Sequence, residues 1–288
     1  MPTIRYRAID RRKPASDWLR QHARNVTSQH GQDGVIAKIF EVIGTTNKCC
    51  CEFGAWDGKY LSNTYSLIQE QGWTGYLIEG STERHADILK NHHHSPNVHA
   101  IREWVDFEGE NTIEKILTRA GAPKDIDLMV IDVDGVDYHI WESLETIRPR
   151  VVAIEYNPIV PNEVVFIQDR DWAITQGNSL AALIELGRKK GYQLVSAYGD
   201  AFFVQRRDYP KFGIEDNSID AMYTPGNREL KLFFGYDGKM YTAGHRVVGW
   251  HVAKPFEADT LQVLTPEEFE VSVRAIAEKP ARSSGEAD

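Results

Sequence analysis

Residues 49–81 read CCCEFGAWDGKYLSNTYSLIQEQGWTGYLIEGS. A short run, Cys49–Phe53, apolar except for Glu52, reads as a buried strand and stops at Gly54. A loop bracketed by Gly54 and Gly58 follows. Residues 63–71 then form a helical pattern, and a second short strand, 75–78, ends on Glu79. Strand, glycine loop, helix, strand and acid form one half of a ligand-binding α/β unit. Glycine lets the chain turn tightly and approach a ligand closely. An acid at the end of the second strand is placed for ribose hydroxyls.

The same alternation continues outward. Helical spacing is predicted over 33–43, 83–91, 112–120, 138–147 and 179–190. Strands are predicted over 98–101, 127–132, 151–155, 192–197 and 201–205. Short buried strands alternating with amphipathic helices predict a doubly wound, mostly parallel α/β sheet of about seven strands with helices on both faces. The expected organisation is a basic arm or helix over 1–25, the α/β domain over 26–206, an extension or lid over 207–278, and a disordered tail over 279–288. The Tyr236-Asp237-Gly238 turn signals a hairpin in the extension.

The 288 residues carry 33 Lys+Arg against 42 Asp+Glu, a net charge of −9. This argues against nucleic acid as a partner, because phosphate backbones need a basic face. No apolar run approaches the roughly 20 residues of a spanning helix, and no signal-peptide core is visible. The three cysteines, Cys49 to Cys51, are adjacent. They suit buried strand positions in a reducing cytoplasm better than disulfides or a zinc site.

The loop chemistry narrows the ligand. A nicotinamide dinucleotide needs G-x-G-x-x-G, whereas this loop is G-A-W-D-G, with Glu52 and Asp57 where a pyrophosphate would be repelled. S-adenosylmethionine is cationic at its ammonium and sulfonium and suits those acids. At the ends of the fourth and fifth predicted strands stand Asp132, Asp134, Asp137, Glu155 and Asn157, with His139 close behind. These hard oxygens suit Mg²⁺, with His139 or Asp134 as general base. The same acids serve equally as helix caps or direct substrate contacts, Asp137 above all as a cap. His92–His94 reads as a solvated loop and Trp141 as core. Tyr236, His245, Trp250 and His251 are candidates for lining an acceptor pocket.

With SQHGQDGVIAKIF (28–40), residues 51–81, DLMVIDVDGVDYHIWESL (127–144) and VVAIEYNP (151–158) in view, the chain resembles class I S-adenosylmethionine-dependent methyltransferases, closest to the FkbM-like O-methyltransferase group. It departs from the common wording in having VIDVDG where many members have a Lys-Ile-Asp-Val-Glu-Gly pattern. The resemblance implies methyl transfer to a hydroxyl of a sugar, glycoside or other polyhydroxylated small molecule. It puts Glu52, Gly54 and Asp57 around the methionine end of the cofactor, with Trp56 and Asn63 also among its contacts. Glu79, Gly80 and Ser81 lie at the ribose and adenine, with Glu103, Trp104 and Val105 beside the adenine. Gln29, Gln32 and Asp33 cover it. The metal ligands would be Asp132, Asp134, Glu155 and Asn157. Self-association is left open. Two alternatives stand beside this reading: a non-catalytic nucleotide-binding module, and a haloacid-dehalogenase-like phosphatase using Asp132 as nucleophile and Asp134 as acid/base.

Overall fold

The structure is a computed structural model. It describes residues 3–271 other than 237, 246, 249–253, 257–260, 266 and 269. The described residues form two compact units, 10–225 and a second made of residues 3–9 with those from 226 onward.

The larger unit is built on a seven-stranded sheet. Its strands are β1 (Cys49–Phe53), β2 (Thr74–Ile78), β3 (Val98–Ile101), β4 (Leu128–Ile131), β5 (Val151–Ile154), β6 (Tyr192–Tyr198) and β7 (Asp200–Gln205), in the order 3-2-1-4-5-7-6. The first five are parallel, and β7 runs antiparallel between β5 and β6. This is the doubly wound Rossmann-like order with one antiparallel strand inserted. Strands β1, β4 and β5 are buried throughout, the signature of a parallel sheet covered on both faces. The three cysteines are free and buried on β1.

The helices are α1 (Gln32–Ile43), α2 (Tyr65–Gln71), α3 (Thr82–Asn91), α4 (Ile113–Arg119), α5 (Asp137–Ser143) and α6 (Leu180–Lys190). The strand order runs one way from β1 to β3 and the other way from β4 to β6. Right-handed crossovers therefore put α2 and α3 on one face and α4, α5 and α6 on the other. Trp141 on α5 is core, packed on Phe203 and Tyr192.

Three expectations change. Helix α5 stops at Ser143, because Leu144 is extended and Pro149 follows. Residues 10–25 belong to the sheet unit, not to a free arm: Leu19 is fully buried and the Lys13 N–H donates to the Ala221 carbonyl. The unit also continues past residue 206 to 225, with Phe212 and Ile214 buried. In the smaller unit β8 (Leu230–Phe234) and β9 (Met240–Gly244) form the hairpin signalled by the turn at 236–238. Residues 279–288 lie outside the described residues.

Candidate active site

The register places one row of residues just past the paired strand ends. Ile78 pairs with Phe53, Phe53 with Ile131, Ile131 with Ile154, and Ile154 with Ala201. One step further come Glu79, Gly54, Asp132, Glu155 and, because β7 is antiparallel, Asp200. This is the carboxyl edge, where open α/β sheets bind ligands. Four of the five positions are acids.

A cleft of about 260 Å³ opens over the middle of this row. It is lined by Gln29, Glu52, Trp56, Tyr60, Asn63 and the acids Asp132, Asp134 and Glu155, among others. Among the described residues no Lys, Arg or His lines it. A phosphate there would face the acids with no Lys or Arg on the wall to offset them, which weighs against the phosphatase alternative. Asp132, Asp134 and Glu155 each point a carboxylate oxygen to within 4.8 Å of the others. Burial and the neighbouring carboxylates hold Asp132 well above the usual range and push Glu155 up to about 8. Burial and crowding thus disfavour the ionised forms of Asp132 and Glu155.

The glycine loop is shaped by its neighbours. Gly54 sits at φ 67°, and a Cβ there would lie 2.4 Å from the Asp132 carbonyl. Glu79, almost buried, accepts from the Trp56 N–H at 3.1 Å and the Ser81 N–H at 2.8 Å. The exposed Trp104 ring covers Gly80 so closely that any Cβ would enter it. Val105 beside it is buried, and Glu103 faces Arg119 at 3.3 Å. Ser81 caps α3. Trp56, Leu61 and Asp134, all on the cleft wall, have φ of 51°, 59° and 57°. Bulky residues rarely adopt that region, and each such strain costs about 1–3 kcal/mol.

Other expected ligand contacts are bound up within the protein. Asp33 accepts from the Val26, Thr27 and Ser28 N–H groups and from the Ser28 and Ser66 hydroxyls, so it places the loop carrying Gln29. Asp57 accepts from the Lys59 and Tyr60 N–H groups and fixes its own loop. Glu52 lines the cleft but accepts from the Ser62 and Thr64 hydroxyls and the Asn63 N–H. Burial raises its pKa against those bonds.

Three assignments differ from the sequence reading. Asn157 does not line the cleft, and its amide accepts from the Ile159 N–H and donates to the Gln176 carbonyl. His139 is buried, with Nε2 donating to the Gln168 carbonyl at 2.8 Å and Nδ1 accepting from Arg170 at 3.4 Å. It has no nitrogen left for a substrate. Asp137 is less a helix cap than a clamp on the preceding turn, accepting from the Val133 and Gly135 N–H groups. Likewise His92 is buried: it donates to the Gly58 carbonyl and accepts from Gln69, bracing the glycine loop. Tyr236 and His245 belong to the smaller unit, and Trp250 and His251 lie outside the described residues.

Two features escaped the sequence reading. Asp200, the fifth member of the row, begins an antiparallel strand, so only the register reveals it. Residues 155–178 between β5 and α6 form a long irregular connection with Trp172, Val164 and Val165 exposed.

No family model matches the sequence, and no curated protein matches it. Several solved chains are similar in fold. A SAM-dependent methyltransferase from Aquifex aeolicus is 15% identical, over 59% of this chain and 87% of that one, with a TM-score of 0.37. The N-terminal domain of EvdMO1 crystallised with SAH and D-fucose is 13% identical, over 62% and 82%, with a TM-score of 0.40. The mitomycin 7-O-methyltransferase MmcR is 13% identical, over 59% and 52%, with a TM-score of 0.32. Among the described residues no helix is long and apolar enough to cross a membrane.

Proposed function

We propose that this protein is an S-adenosylmethionine-dependent O-methyltransferase acting on a sugar or other polyhydroxylated small molecule, with a divalent cation such as Mg²⁺ at the acid trio. The observation that carries the reading is the edge row itself: a ribose-type acid, Glu79, beside a tight glycine turn, opening onto a cleft walled by acids and free of cationic side chains. That charge suits a cationic cofactor and opposes a dinucleotide.

When bound, S-adenosylmethionine supplies an electrophilic methyl group on a sulfonium. Glu79 has lone pairs left for ribose hydroxyls after accepting its two N–H groups. Trp104 over Gly80 offers an apolar face for the adenine. Asp132 and Glu155 would hold the cation, which when bound lowers the pKa of a hydroxyl beside it. Asp134, the exposed member of the trio, accepts the hydroxyl proton in place of the occupied His139. Tyr60, exposed on the wall, offers a ring suited to a sugar, and so does the half-exposed Trp56, one of whose faces carries the Arg84 guanidinium at 4.0 Å. Alignment of hydroxyl and methyl is the main contribution left to the protein.

Calorimetry with S-adenosylhomocysteine and NADH, followed by methyl transfer to a panel of neutral sugars and glycosides with and without EDTA, tests this. Tighter binding of NADH would overturn the cofactor, and full turnover in EDTA would remove the cation. Cofactor binding with no transfer to any acceptor would favour the non-catalytic binding module.

A further inference from the structure

Three segments bring exposed cations together at the amino edge of the sheet. Helix α6 ends Arg188-Lys189-Lys190 and closes at Gly191, in the left-handed region at φ 84°. Arg148, just before β5, donates from Nη2 to the Lys190 carbonyl at 2.7 Å, and its guanidinium lies 5.8 Å from the Tyr192 ring centre. Arg206, just after β7, donates its N–H to the Gly191 carbonyl at 2.9 Å, and Arg207 follows it. Arg148, Arg188, Lys189, Arg206 and Arg207 are all exposed.

Their charge is largely uncompensated. Among the described residues no acid forms an ion pair with Arg148, Arg188, Lys189 or Arg206. Arg207 reaches Asp208 at 3.8 Å, but that carboxylate already serves Lys211 at 2.7 Å and Arg150 at 3.4 Å. Burial and the nearby Arg148 hold the Lys190 ammonium below its ordinary value. The carbonyl end of α6 attracts cations, but it carries only about half a charge, and Arg206 and Arg207 are not on the helix. A chain of net charge −9 thus keeps five cations crowded around one glycine.

Four of the five are arginines, whose planar forks match carboxylates and phosphates. Among the described residues no large apolar side chain is exposed between Trp104 and Ile159 or between Trp172 and Leu232. The patch therefore offers neither exposed rings for bases to stack on nor an apolar face to enter a bilayer. A long polyanion or an extended anionic surface also meets the repulsive field of the whole acidic chain, whereas a short segment meets only the charges within about 8–10 Å. Carboxylates on a short segment fit these conditions.

We propose that this patch is a docking surface for an acidic segment, a run of Asp and Glu, on a partner protein. It lies at the edge opposite the cleft, so a docked partner leaves the cleft open and the patch tethers the protein without feeding its site. The proposal stands apart from the cofactor reading.

The test is fluorescence anisotropy of a labelled Glu-Asp-Gly repeat peptide titrated with the full chain. Saturable binding that weakens with added salt is expected. Arg188→Gln with Arg206→Gln should weaken it about fivefold or more, whereas Lys90→Gln with Lys115→Gln, an equal change of net charge on α3 and α4, should stay within about twofold. Lys189→Gln carries the comparison should the first pair prove unfolded by circular dichroism. An oligothymidylate of equal charge and phosphatidylserine vesicles serve as the competing probes. No peptide binding, equal losses in the patch and control variants, or tighter binding of the oligonucleotide or the vesicles overturns the acidic-segment partner.

Discussion

Glu79, at the carboxyl edge, ties the glycine loop to the start of α3 through two backbone N–H groups. Removing it therefore costs ligand bonds and loop order together. Glu79→Ala should weaken S-adenosylhomocysteine by about 1.5–3 kcal/mol, the range for charge-assisted hydrogen bonds, or roughly 10- to 150-fold. Binding within twofold of the unsubstituted protein would remove Glu79 from the ribose. Gly54 presents a different physics. A side chain there meets two penalties, a left-handed backbone and a collision at 2.4 Å with the Asp132 carbonyl, which is backbone and cannot swing away. Gly121 shares the left-handed backbone, at φ 73°, but a Cβ there meets nothing within 4 Å. Gly121→Ala should cost about 1–2 kcal/mol, and Gly54→Ala clearly more. Denaturant titration of both variants separates backbone strain from steric collision, and equal losses would show that the β1 turn can relax.

Among elements, the 155–178 connection is the one whose order depends on few groups. Gln168 is its hub: its Oε1 accepts from the Gln176 and Gly177 N–H groups, and its Nε2 donates to the Ile174 carbonyl. Its own carbonyl receives His139. Buried at 2% exposure, it substitutes for regular secondary structure. Gln168→Ala should open this segment to limited proteolysis between 156 and 178 while leaving S-adenosylhomocysteine affinity nearly unchanged, because the cofactor half of the edge lies on β1 and β2. Cleavage no faster than in the unsubstituted protein would show that other contacts hold the loop. The strands and helices around it were legible in the sequence because each is a short apolar or periodic run punctuated by glycine, proline or an acid. Cys49–Phe53 and Val98–Ile101 coincide with the observed strands. Glu79, Asp132 and Glu155 were legible for the same reason, as the first polar residues after buried strands, with Asp134 two residues past Asp132. What sequence could not convey is where a side chain points. Asp33 and His139 look like ligands until their partners, from distant segments, are seen to occupy them. Asp200 looks incidental until the register aligns it with Glu155.

Across the whole sheet the two edges treat charge in opposite ways. At the amino edge, buried Arg150 bridges Asp127 at 2.9 Å and Asp208 at 3.4 Å, so these acids are compensated. At the carboxyl edge burial dominates and, among the described residues, no cationic side chain lines the cleft: Asp137 is pushed up to about 6, Asp200 to about 7 and Glu155 to about 8. Between pH 5 and 8 the folded protein holds protons that the unfolded chain, with ordinary carboxyl values of 3.8 and 4.5, has already released. The folded state binds more protons, so stability falls as pH rises through this window. The slope is at most about 1.4 kcal/mol per pH unit for each retained proton. Asp216 and Asp208, held low by their lysine and arginine partners, have the opposite sign but titrate below the window; His92, held below 6.5 by burial, opposes the trend only at the acid end and is one group against three. Melting temperature should therefore decline steadily from pH 5 to pH 8, and Glu155→Gln should flatten the decline at its alkaline end. A divalent cation at the trio favours the ionised carboxylates, so added Mg²⁺ should raise the melting temperature at pH 8 and have little effect at pH 5. A melting temperature that climbs from pH 5 to pH 8 without metal would mean that the edge acids are ionised and compensated in the folded protein. A Mg²⁺ effect of equal size at both pH values would place the ion elsewhere on this acidic chain.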